Sequence, residues 1–135
     1  MNEDFLDKLE GVLQGDNRFH KGAYLFVFDA LDYTLKKMGK AELPTAAERH
    51  IGGRELLLGI SEYALDQYGP LTLPVLAHWG VQTTRHFGEI VFNLIEAGLM
   101  SKTENDSLDD FSDVYSFTEE FDWPKRRAAI KRLAT

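Results

Sequence analysis

The chain has 135 residues, of which 44% are hydrophobic and 27% are charged, and this balance is typical of one globular domain. The absence of cysteine excludes disulfides, cysteine-ligated zinc and thiol nucleophiles. The acidic start Met1–Asp4 is unlike a secretory signal, and no apolar run approaches the roughly twenty residues that span a bilayer. We therefore expect a cytoplasmic protein that does not contact membranes.

Charge is unevenly distributed along the chain, whose net charge is −7. Residues 104–122 contain eight acidic residues and no basic one, whereas residues 123–135 contain five basic residues and no acidic one. The acidic balance repels phosphate backbones and favours neutral or basic partners. The basic tail, with Lys125–Arg127 and Lys131–Arg132, either contacts an acidic partner or folds back onto the acidic segment. We favour folding back, because a short loop costs little closure entropy.

Apolar residues at helical spacing predict two helices in the first part of the chain, over about 3–13 and 19–38. Asp16 is a suitable N-cap for the second of them. That helix is apolar on most of its sides, which predicts that it is the central element of the core. The elements expected next are a connection over 40–53 with a helical turn at Ala46–His50, a helix over 54–68, a short helix from Thr72 to Gly80, and a helix from Thr83 or Thr84 to Gly98.

The pattern changes after Gly98, where Leu99–Thr103 and Val114–Phe117 are typical of two strands. A final helix is expected after Thr118, with a break at Pro124. The order of elements over about 54–117 is that of a winged helix. The predicted fold is therefore mostly α with a small two-stranded β-hairpin. Its winged-helix-like C-terminal half packs on N-terminal helices at about 3–38, within one domain of residues 1–135 whose tail begins at about 118.

Seven residues are candidates for binding: His50, Arg54, His78, Trp79, Arg85, His86 and Glu89. The glycines beside His50 would allow an anion near Arg54 at a helix start, although a flexible connection is the simpler interpretation. Arg85 and His86 would face the major groove in a DNA-binding winged helix, and Trp79 fits a core position better than a contact with a partner. No histidine spacing indicates a metal site. We predict no catalytic residue, metal or cofactor.

Several motifs together resemble a family of uncharacterised bacterial proteins. They are HIxGxELLxGI at His50–Ile60, VLxHWGV at Val75–Val81 and FGEIVFxLI at Phe87–Ile95, and the likeness extends over about residues 5–121. The family has no established activity, so the resemblance implies no catalytic or binding residue for this chain.

Three functions follow from these features. The first is a non-enzymatic regulatory or protein-interaction domain that uses the winged-helix-like surface. The second is a nucleic-acid-binding transcriptional regulator using Arg85, His86 and the basic tail, which the acidic charge disfavours. The third is a small-molecule-binding protein or enzyme with a pocket near His50, His78 or His86. We expect the first, and we do not expect an enzyme.

Overall fold

The computed structural model describes residues 3–134 and the side chains of residues 3–128. Its helices are α1 (Glu3–Gly15), α2 (Lys21–Lys37), α3 (Ala46–Arg49), α4 (Gly53–Tyr68), α5 (Thr72–His78), α6 (Thr84–Glu96), α7 (Phe117–Glu120) and α8 (Trp123–Ala134). Two 3₁₀ turns, Gly69–Leu71 and Leu108–Phe111, join them. Among these residues, no helix combines the length and the apolar character that crossing a bilayer requires.

The two N-terminal helices are confirmed, but the N-cap of α2 is His20 rather than Asp16. The backbone is extended at His20, whose Nδ1 accepts a hydrogen bond from the N–H of Gly22 at 2.8 Å. The carboxylate of Asp16 lies too early in the chain to reach this helix end. It binds the guanidinium of Arg18 instead, at 2.7 Å.

Helix α2 packs mainly against α4, and the two helices approach closely at one glycine. A Cβ atom added at Gly59 would lie 1.8 Å from Oγ1 of Thr34, so only glycine fits this contact. Ala23, Val27 and Ala30 of α2 are fully buried, which confirms that α2 is central to the core.

Helix α6 begins and packs as predicted. Thr83 is its N-cap, since its hydroxyl accepts a hydrogen bond from the N–H of His86 at 3.2 Å. Phe87, Ile90 and Leu94 are fully buried and form its core-facing side.

The predicted β-hairpin is wrong, because residues 3–134 contain no strand. Side chains form hydrogen bonds with backbone groups that would pair with each other in a β-ladder. Asp106 accepts hydrogen bonds from the N–H of Thr103, and the N–H of Val114 donates to Oγ1 of Thr84. Without paired strands the described residues form no wing, so the winged-helix assignment of residues 54–117 is also wrong. The C-terminal half is helical.

One aromatic ring of the segment after α6 packs between two helices. Phe111 is 4% exposed and ends the second 3₁₀ turn. A Cβ added at Gly53 of α4 would lie 2.7 Å from its Cε1, and one added at Gly88 of α6 would lie 2.6 Å from its Cβ. The two glycines thus create the space in which Phe111 lies between α4 and α6.

The C-terminal segment is fixed to α4 through Glu120. This carboxylate accepts from the hydroxyl of Ser61 at 2.8 Å and pairs with Arg126 at 2.7 Å. Arg126 therefore contacts the acidic segment that precedes it, while the side chains of Lys131 and Arg132 lie outside the described residues. The helix break falls at Phe121–Asp122 and not at Pro124, which α8 accommodates in its first turn.

Candidate functional site

A partly open cavity of about 560 Å³ lies between α2, α6, the start of α4 and the loop that follows α6. Its walls are largely apolar. Helix α2 contributes Phe28, Leu31 and Leu35, and helix α6 contributes Val91, Phe92 and Ile95. The remaining apolar side chains are Ile51, Leu56, Leu99, Met100 and Phe111.

The polar side chains at the cavity come from two segments. Arg49 and His50 belong to the end of α3, and Ser101 and Asp106 belong to the loop after α6. The two segments meet where Nε2 of His50 lies 3.1 Å from Oδ2 of Asp106. The cavity therefore combines a long apolar wall with one polar contact region.

Asp106 is the centre of that polar region. Its Oδ2 accepts from the N–H of Thr103 at 2.7 Å and from the Thr103 hydroxyl at 3.2 Å, in addition to the contact with His50. Burial by itself raises the pKa of Asp106, but the Thr103 hydrogen bonds and His50 hold this pKa below its ordinary value. Asp106 is therefore a carboxylate at neutral pH.

Neighbouring backbone contacts hold His50 in place. The ammonium of Lys40 donates to the carbonyl of His50 at 3.1 Å, and the guanidinium of Arg49 donates to the carbonyl of Leu43. The carboxylate of Glu55 accepts from the N–H of Gly52 at 3.1 Å, which fixes the start of α4 beside the cavity. The connection from α3 to α4 is thus anchored on both sides of His50.

Of the seven residues predicted for binding, only His50 lines this cavity. Arg54 is exposed on α4 and does not reach it. His78 ends α5, with its ring 5.3 Å from that of His20. Trp79 is half-buried against Phe26, at 5.4 Å between ring centroids, which agrees with the packing role expected of it.

The other three predicted residues, on α6, make separate contacts. Arg85 is exposed and donates to the hydroxyl of Ser112 at 2.9 Å. Nδ1 of His86 accepts from the N–H of Gln82 at 3.0 Å, while Glu89 pairs with Arg18 at 3.1 Å. No group of three or more potential metal ligands exists within the described residues.

Asp106, Arg49 and Phe111 were not among the predicted binding residues. His50 and Asp106 are 56 positions apart, and no spacing rule connects them. The one local signal is the position of Asp106 three residues after Thr103, the spacing at which an acidic side chain can reach back to a backbone N–H, as in a capping box. That signal indicates a turn and gives no information about His50.

Comparison of the chain with known protein families, with curated proteins and with solved structures found no match. The likeness to uncharacterised bacterial proteins in the His50–Ile60, Val75–Val81 and Phe87–Ile95 motifs therefore stays a prediction.

Proposed function

We propose that this protein binds a small, largely apolar molecule in the cavity between α2, α4 and α6. The observation that carries the proposal is the cavity itself, whose volume of about 560 Å³ lies within the range of about 300–1,000 Å³ that ligand pockets occupy. Its composition is also that of a ligand site, since mostly apolar walls surround a few polar groups.

The exposure of the apolar walls supports a ligand with an apolar body. Phe28, Leu31 and Leu35 of α2 are only half-buried, although Val27 and Ala30 on the same helix are fully buried. Contact between apolar side chains and water costs about 25 cal/mol for each Å² of exposed surface. An apolar molecule in the cavity would remove part of that cost, which is the driving force we assign to binding.

The two other functions considered from the sequence have lost their main support. Both depended on a winged-helix surface, and the described residues form no wing. The nucleic-acid hypothesis also relied on Arg85, whose guanidinium is exposed but lies 3.7 Å from a carboxylate oxygen of Asp109, a negative charge that opposes phosphate binding.

The proposal is tested with N-phenyl-1-naphthylamine, an uncharged apolar probe whose fluorescence rises when it leaves water. We expect saturable binding of one probe per chain. Ile95→Trp places an indole in the cavity and should weaken this binding at least about tenfold, because the space for the probe is filled.

Leu65→Trp is the matched control. Like Ile95, Leu65 is a half-buried aliphatic residue in a helix, but it does not line the cavity. This variant should bind the probe as the wild type does. The proposal is wrong if the probe shows no saturable binding, or if both variants weaken it equally.

A further inference from the structure

The contact between His50 and Asp106 determines which ring nitrogen of His50 carries its proton. An ionised carboxylate only accepts hydrogen bonds, so the nitrogen that faces it must donate. Nε2 of His50 lies 3.1 Å from Oδ2 and 3.3 Å from Oδ1 of Asp106. The proton of the neutral imidazole is therefore on Nε2.

A neutral imidazole with its proton on Nε2 has a lone pair on Nδ1, which is then a hydrogen-bond acceptor. None of the hydrogen bonds among the described residues involves Nδ1 of His50. Every buried side-chain nitrogen or oxygen of the described residues has a hydrogen-bond partner. Since Nδ1 of His50 has none, this atom is not buried, and a ligand can reach it. The His50 side chain is 25% exposed and lines the cavity.

We propose that Nδ1 of His50 accepts a hydrogen bond from the ligand, and that the ligand is an uncharged apolar molecule ending in a hydroxyl or N–H donor. This inference rests on the proposed binding function and adds the chemical class of the ligand to it. His50 is the binding residue, and Asp106 is a positioning residue that acts through the His50 ring.

The acceptor at Nδ1 and the negative charge of Asp106 favour an uncharged donor over a carboxylate facing the His50 ring. A carboxylate facing Nδ1 would bring two acceptors together and would add a second negative charge near Asp106. Lys40 and Arg49 are the nearby cations, and each keeps its charge while it donates to a neutral backbone carbonyl, of His50 and Leu43 respectively, rather than to Nδ1 of His50. A ligand hydroxyl forms one favourable hydrogen bond without either conflict.

Three straight-chain probes of similar length separate these head groups: 1-octanol, 1-methoxyoctane and octanoate. Each is used to displace N-phenyl-1-naphthylamine at about pH 8.5. We expect the alcohol to bind about fivefold to tenfold more tightly than the ether, as one hydrogen bond provides, and octanoate to bind most weakly.

His50→Phe keeps a ring and removes the acceptor. It should remove the preference for the alcohol over the ether. His78→Phe changes an exposed histidine away from the cavity, and it should keep the full preference.

Long-range ¹H–¹⁵N spectra of the wild-type protein report the tautomer directly, even if His50→Phe does not fold. We expect Nδ1 of His50 to be unprotonated and Nε2 to carry the proton. In Asp106→Asn the amide can donate as well as accept, so both tautomers should be populated and the alcohol preference should fall. A purely structural role for Asp106 would leave the tautomer unchanged.

Two results would overturn the inference while leaving the proposed function intact. The first is a spectrum that shows the proton on Nδ1 of His50 in the wild type. The second is a displacement experiment in which the three alkyl probes bind with equal affinity, or in which octanoate binds most tightly. If no probe binds, including N-phenyl-1-naphthylamine, the binding function itself is wrong.

Discussion

The position of Phe111 between two glycines leads to a sharp prediction about Gly53. A methyl group at this position would lie 2.7 Å from Cε1, 2.9 Å from Cζ and 3.1 Å from Cδ1 of Phe111. All three atoms belong to the phenyl ring, so Phe111→Ala removes the whole conflict. The pair is therefore suited to a double-mutant cycle.

The expected free energies follow from this geometry. Gly53→Ala in the wild type should destabilise the protein by about 1–2 kcal/mol, because overpacking costs about 1–3 kcal/mol and alanine returns up to about 1 kcal/mol in a helix. Phe111→Ala alone should cost about 3–5 kcal/mol, since the ring is 4% exposed. In the Phe111→Ala background no overpacking remains, so Gly53→Ala should cost nothing and should stabilise the helix by up to about 1 kcal/mol, which gives a coupling energy of about 1–3 kcal/mol.

Urea unfolding at equilibrium measures all four proteins of the cycle, and Phe111→Leu replaces Phe111→Ala if the latter is too unstable to study. Gly11→Ala is the control, because a Cβ at this glycine of α1 meets nothing within 4 Å and should stabilise the helix by about 0.5–1 kcal/mol. Since Phe111 lines the cavity, Gly53→Ala should also weaken binding of N-phenyl-1-naphthylamine. An equal cost of Gly53→Ala in both backgrounds would refute the reasoning.

Two further predictions concern polar side chains that do not line the cavity but stabilise the fold. Thr84 is 1% exposed, and its hydroxyl donates to the carbonyl of Phe111 at 2.6 Å and accepts from the N–H of Val114 at 3.2 Å. Thr84→Val should therefore lower the free energy of unfolding by about 1–3 kcal/mol in urea, while Thr84→Ser should cost less because it keeps both bonds; equal losses would contradict this. Hydrogen bonds from Arg18 hold the pKa of Asp16 well below its unfolded value of about 3.9, so Asp16 stabilises the fold above that pH, and its contribution decreases as the pH falls from about 5 to 2. The stability difference between wild type and Asp16→Asn should shrink over this range, and a constant difference would show that the ionised carboxylate is not responsible.

Local sequence signals determined the helices well. The apolar spacing of α1, α2, α4 and α6 predicted their existence and most of their ends, because an amphipathic helix is encoded by neighbours three and four residues apart. Thr83 was predicted as one of two N-caps for the same reason, since capping depends on a side chain and an N–H only three residues away.

The same local signals failed between Gly98 and Phe117. The apolar residues there fit the alternation of two strands, but strands are stable only when their backbone groups pair with each other. The turn closed by Asp106 on Thr103, and the donation from Val114 to Thr84, used those groups in another way. The hydroxyl of Thr84 lies 30 positions from Val114, and nothing near Val114 indicates it.

The candidate site was determined by tertiary structure almost entirely. The sequence supplied His50 as one of several polar candidates. Only the packing of α2, α4 and α6 brought Asp106 to His50 and placed apolar side chains of two distant helices around one cavity. A contact across 56 residues depends on how every intervening element packs, and that information is not contained in any local pattern of residues.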